Sequence, residues 1–225
     1  MRNVLEYKDG VSFFGSSSGW ENKVEMGKGR SAGIEFMAQK TAGKTTGWLS
    51  YTLSKSDRKF TKGGINNGEW FPYKYDRRHS INLTINHKFS DRIDIGASWV
   101  FYTGGTSTIP EEKTTVIRPH NGANNGFLWY GTYDNTNSSP TIGDVSYIEH
   151  RNNFRLPASH RLNLGENFNK KTKHGMRTWN ISLYNAYNAM NPAWVYRGHN
   201  KQGLSVIKKY TLLPLIPSFT YTYKF

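Results

Sequence analysis

The sequence predicts an all-β chain of about eight antiparallel strands, patterned as a segment of a transmembrane β-barrel. Three observations predict it. Apolar and polar residues alternate with period two in one stretch after another, which gives a sheet one apolar and one polar face. The connections sort by length: those near 41–44, 90–92 and 169–175 are short, and those near 10–29, 55–74 and 105–156 are long. The closing stretch puts Phe219, Tyr221, Tyr223 and Phe225 on one face and Thr220, Thr222 and Lys224 on the other. Outer-membrane barrels have short periplasmic turns and long extracellular loops, whereas a β-sandwich has no reason to sort its loops.

Composition sets the limits. The chain has 225 residues, 36% hydrophobic and 15% aromatic, with 22 Gly. No apolar run has the length of a membrane helix. Cysteine is absent, which excludes disulfides and thiolate metal sites. The formal charge of +14 suits an acidic ligand, nucleic acid or an anionic membrane surface. Met1-Arg2-Asn3-Val4-Leu5-Glu6-Tyr7 has no apolar signal core. For an exported protein, an N-terminal part is therefore expected upstream.

Residues 1–9 give a weak strand signal and 10–29 a Gly/Ser-rich loop. Ala32, Ile34, Phe36 and Ala38 then share a face. After a turn at 41–44, Leu49, Tyr51 and Leu53 do the same. The clearest strand sets Ile81, Leu83, Ile85, His87 and Phe89 against Ser80, Asn82, Thr84, Asn86 and Lys88. Ser90-Asp91-Arg92 turns it into Ile93, Ile95, Ala97, Trp99 and Phe101. Beyond the loop of 105–156, Leu162, Leu164 and Phe168 alternate with Asn163, Gly165 and Asn167, and Trp179, Ile181 and Leu183 with Asn180, Ser182 and Tyr184. The pattern predicts that this last strand runs on through Pro192 towards Tyr196. It also predicts one closing strand over 204–225, kinked at Pro214 and Pro217.

No constellation reads as catalytic or as a metal or cofactor site. The seven His have no close ligand spacing. Glu111-Glu112 reads as an exposed loop rather than an acid–base pair. Lys170-Lys171-Thr172-Lys173-His174 reads as a solvated turn. Trp99, Phe101, Trp179 and Trp194 fit interfacial girdles better than nucleobase stacking, so no nucleic-acid partner is expected. Loops on rigid scaffolds carry binding, so the ligand-contact candidates are Arg118, His120, Phe127, Trp129, Tyr130, Tyr133, Arg151 and Arg155, with the rim segment 66–79 beside them.

Six stretches carry a resemblance. They are Gly27-Lys28-Gly29-Arg30-Ser31-Ala32-Gly33-Ile34-Glu35, Gly47-Trp48-Leu49-Ser50-Tyr51-Thr52-Leu53-Ser54, Phe71-Pro72-Tyr73-Lys74-Tyr75-Asp76-Arg77-Arg78-His79, Arg151-Asn152-Asn153-Phe154-Arg155-Leu156-Pro157, Tyr184-Asn185-Ala186-Tyr187-Asn188-Ala189-Met190-Asn191-Pro192 and Ile216-Pro217-Ser218-Phe219. In this order they resemble the C-terminal barrel of TonB-dependent receptors of the Bacteroidetes outer membrane. The ending lacks the Gly-Arg-type start of the last strand found in many of those receptors. The resemblance implies a plugged barrel of about 22 strands, of which residues 1–225 would form the last third. It implies as partners the missing barrel and plug portion, the TonB system acting through the plug, the barrel-assembly machinery, and outer-membrane lipid with lipopolysaccharide. It implies that Phe219, Tyr221, Tyr223 and Phe225 serve as the assembly signal. The expected function is energised nutrient uptake. The alternatives are a self-closed small barrel acting as an adhesin or structural protein, and a barrel enzyme.

Overall fold

The computed structural model describes residues 1–8, 19–118 and 141–225, with backbone pairing alone for 112–118 and 141–146. It is all-β, 63% strand and 4% helix, as the alternation predicts. The chain divides into two units, Met1–Ile109 with His150–Phe225, and Pro110–Glu149. Its strands in chain order are β1 (Arg2–Tyr7), β2 (Val24–Lys40), β3 (Thr45–Lys59), β4 (Phe71–Pro72), β5 (His79–Lys88), β6 (Ile93–Tyr102), β7 (Thr106–Ser107), β8 (Glu112–Arg118), β9 (Thr141–Tyr147), β10 (Phe154–Arg155), β11 (Ser159–Thr172), β12 (Gly175–Tyr184), β13 (Pro192–His199), β14 (Ser205–Thr211) and β15 (Ile216–Lys224).

The larger unit is built on a meander ordered β1-β2-β3-β5-β6-β11-β12-β15, each strand antiparallel to the next, with β4 pairing the end of β3. Three of its turns are tight. Thr172 pairs with Gly175 across two residues. Phe89 bonds Ile93, and the Ser90 hydroxyl accepts the Arg92 and Ile93 N–H groups. Lys40 pairs with Gly47. The other four connections, 8–23, 60–78, 103–158 and 185–215, are long. Consecutive turns of a meander fall at opposite ends of the sheet, so all tight turns lie at one end and all long connections at the other.

Register keeps the apolar residues in rows across strands. Ala38, Leu49, Leu83, Trp99 and Leu162 form one row, and Ile85, Ala97, Leu164, Leu183 and Pro217 another. Side chains of cross-strand partners share a face, so one face of the sheet is apolar from β2 to β15. The apolar residues of β6, Ile93 to Phe101, extend about 27 Å along the strand. This face is uncovered: Ile34 is 72% exposed and Phe219 66%.

The opposite face is polar and hydrogen-bonded to itself. Asp94 accepts from the Asn167 and Asn169 amides, each at 2.7 Å. Asn180 donates to the Asn167 side-chain oxygen and Thr178 to that of Asn169, again at 2.7 Å. One carboxylate thus anchors two side-chain ladders over three strands, and each member satisfies the next.

The buried hydrophobic residues among those described are Phe60, Ile65, Phe71 and Ile109. None lies in the eight strands of the meander. The compact packing is at the end that carries the long connections.

Several boundaries differ from expectation. β2 begins at Val24, inside the expected loop of 10–29, because β1 pairs residues 24–28. β3 runs on to Lys59, where β2 still accompanies it. The stretch 105–156 contains β7, β10 and the β8–β9 hairpin, whose Thr114-Thr115-Val116-Ile117 run is β-branched throughout. β12 stops at Tyr184 instead of running on to Tyr196, because Asn185 and Asn188 adopt left-handed φ of 53° and 52°, which a strand cannot contain. Residues 192–199 and 205–211 then pair with each other as the β13–β14 hairpin. The closing strand is therefore only Ile216–Lys224. Pro217 is tolerated there because β15 is an edge strand. Among the described residues β1 pairs with β2 alone and β15 with β12 alone, so the sheet is open, with no closed barrel.

Candidate functional site

The long-connection end is assembled from three sequence stretches that the fold brings together, 57–78, 103–109 and 150–160. At its centre is Asp76, 1% exposed. Its Oδ1 accepts the Ser56 N–H at 2.7 Å. Its Oδ2 accepts Arg155 Nη2 at 2.6 Å and Arg78 Nε at 3.0 Å. Arg155 Nη1 also donates to the Asp76 and Gly104 carbonyls, both at 2.9 Å. Burial pushes the Asp76 carboxyl up. The Arg155 hydrogen bond, the Ser56 N–H and the two guanidinium charges outweigh it and hold the group below the usual carboxylate range.

Asparagine side chains stitch the remaining backbone. Asn66 exchanges two hydrogen bonds with the backbone of Arg151. Asn152 donates to the Pro72 carbonyl and Asn153 bonds Ile109 twice. Asn66, Asn67 and Asn152 are all left-handed, with φ of 50°, 47° and 54°. Asparagine tolerates that region better than other side-chain-bearing residues, and its amide pairs with local backbone. Gly104 is required by close approach: a Cβ there would run into the Leu156 carbonyl oxygen.

A second cluster sits where β12 ends. Asn185, 1% exposed, donates to the Ala189 and Leu213 carbonyls and accepts the Ala189 N–H. Asn191 accepts from the His160 N–H and donates to its carbonyl, so a side-chain amide replaces the missing strand beside β11. The outer surface of this end is basic and aromatic. Arg58 lies 3.7 Å over Tyr73 and Arg30 4.3 Å over Trp70. Trp70 is 40% exposed and Tyr75 65%, which gives a rim of rings and cations suited to planar or anionic solutes.

The predicted ligand contacts fare unequally. His120, Phe127, Trp129, Tyr130 and Tyr133 lie outside the described residues, and Arg118 is described only as the end of β8. Arg155 is held by Asp76 and Gly104. Arg151 enters through its backbone to Asn66. Of the four closing aromatics, Phe219 and Tyr221 pack against Trp179 on the apolar face, at 5.0 Å and 4.4 Å. Tyr223 has the same parity in β15, and Phe225 follows the last strand residue, Lys224. The residues missed by sequence reasoning are Asn66, Asn152, Asn185 and Asn191. Asn beside Gly or Pro is the legible signal at Asn66-Asn67-Gly68 and Asn191-Pro192, whereas Asn152 and Asn185 have no such neighbour. No family model, curated protein or solved structure matches this chain.

Proposed function

We propose that this chain is a portion of an outer-membrane transport barrel, whose apolar sheet face meets lipid and whose polar face lines a lumen. One observation carries the reading: a face apolar from β2 to β15 that is exposed, set against a face whose polar side chains bond one another. A soluble protein leaves no apolar surface of that extent uncovered, and a lipid-facing barrel requires it. The sorting of tight turns and long connections supports the same orientation, with the Asp76 end outside the cell. The resemblance to TonB-dependent receptors makes the function energised nutrient uptake, with the rim carrying Trp70 and Tyr75 and the long connections meeting the nutrient. The four closing aromatics then act in assembly. Among the described residues β1 and β15 do not pair with each other, which favours a larger barrel over the self-closed adhesin.

Single-cysteine variants test the topology cleanly, because residues 1–225 contain no cysteine. In whole cells, a membrane-impermeant maleimide is expected to label Lys62→Cys and Gln202→Cys at the long connections. It is expected to spare Asp91→Cys and Lys173→Cys at the tight turns until the outer membrane is breached. Equal labelling at both ends in intact cells overturns the reading.

A further inference from the structure

We propose that the β13–β14 hairpin is a docking arm for phosphorylated glycolipid in the outer leaflet; this rests on the outer-membrane reading above. Charge points there first. Residues 167–225 contain no Asp or Glu, and they hold Lys170, Lys171, Lys173, Arg177, Arg197, Lys201, Lys208, Lys209 and Lys224. These nine cations compare with a net +14 for all 225 residues. Within the hairpin and its tip lie Arg197, Lys201, Lys208 and Lys209.

The hairpin's geometry matches the charge. Trp194 and Tyr210 are register partners stacked at 4.3 Å with planes 7° apart. Both are about half exposed, as is Tyr196 on the same face. Lys208 pairs with Tyr196 and folds its methylenes over Gly198, where a Cβ would come within 3.1 Å of its Cδ. The face thus presents a flat aromatic pair, a third ring and an ammonium whose stem is laid along the sheet. Amphipathic rings partition to the lipid headgroup level, and lysine reaches from apolar surface to anionic charge. The segment returning to β15 adds exposed apolar surface: Leu212, Leu213 and Leu215 are each between 39% and 55% exposed, four residues or more before Phe219 of the apolar face. A ligand that offers sugar rings, phosphates and acyl chains side by side fits these three surfaces together. A soluble polyanion engages only the cations.

The test uses the full-length protein carrying Gln202→Cys at the hairpin tip, labelled with an environment-sensitive fluorophore. It is reconstituted in phosphatidylcholine vesicles containing diphosphorylated lipid A, or the same glycolipid with its phosphates removed. Insertion is scored separately by heat-modifiable migration. The expected result is a blue-shifted probe with the phosphorylated glycolipid. In K201E/K208E, the glycolipid concentration needed for half the shift should rise about tenfold or more, and in K201Q/K208Q by less, with insertion unchanged in both. Insertion with an unshifted probe, an equal shift with dephosphorylated glycolipid, or an unaltered K201E/K208E response overturns the proposal alone. Equal suppression of the shift by soluble anionic polysaccharide assigns the arm to free polyanions and also overturns it. Failure to insert in any vesicle overturns the barrel reading and this proposal with it.

Discussion

The strand array and the long-connection end invert each other. In the array, Ile34, Ile85, Ile181 and Phe219 are exposed while amides on the reverse face bond one another. At the other end Asp57, Asn66, Asp76 and Asn185 are buried, beside a small core of Phe60, Ile65 and Phe71. The first region leaves its apolar surface for a partner phase. The second closes on itself, and burial there follows hydrogen-bond completion rather than hydrophobicity. The two regions should therefore fail by different routes.

The largest effect is expected at Asp76. Arg155→Ala removes one guanidinium donor from a carboxylate that stays buried, together with the bonds to the Asp76 and Gly104 backbone carbonyls, and such losses cost about 3–5 kcal/mol. Hydrogen exchange of 60–78 and 103–109 should rise sharply while the meander remains protected. Uniform loss across both regions would break the distinction.

Next comes Ile85→Arg, in the middle of the apolar face and 40% exposed. Facing lipid, it is expected to cost about 2–4 kcal/mol, read as a lower midpoint of denaturant unfolding from vesicles. Facing water, an exposed position would shift stability by less than about 0.5 kcal/mol. A midpoint equal to that of the parent protein argues against a lipid-facing sheet.

Asn185→Ala is expected to cost about 2 kcal/mol, since it strands the Ala189 N–H and the Leu213 carbonyl and leaves a left-handed φ to alanine. Limited proteolysis should then cut near 185–191, with β12 and β15 still paired. Asn185→Gly tolerates the backbone conformation but also lacks the amide. It should recover only part of the loss, and the difference between the two variants measures the backbone share.

The smallest effect is pH. The Asp76 carboxyl is held below its unfolded value, so its contribution is fully present above about pH 4 and is lost as pH falls through the lower folded value. Exchange of 60–78 should accelerate only on that acid side. Asp76→Asn should abolish this dependence while leaving the meander's own acid response in place.

The faces of the strands and the lengths of their connections were legible in the chain alone. Period-two alternation is a local property: each side chain's face follows from its parity, so Ile81 to Phe89 and Ile93 to Phe101 could be placed without any partner. Tight turns such as Ser90-Asp91-Arg92 were legible for the same reason. Where β12 ends, and what 192–211 does, depends instead on contacts distant in sequence. Alternation there continues past Tyr184, and the break depends on Asn185 finding Ala189 and Leu213. Likewise Asp76 and Arg155, 79 positions apart, carry no mutual signal in one sequence. Their pairing exists because β6 and β11 are adjacent in the sheet, which delivers 103–109 and 150–160 to the end where 57–78 already lies.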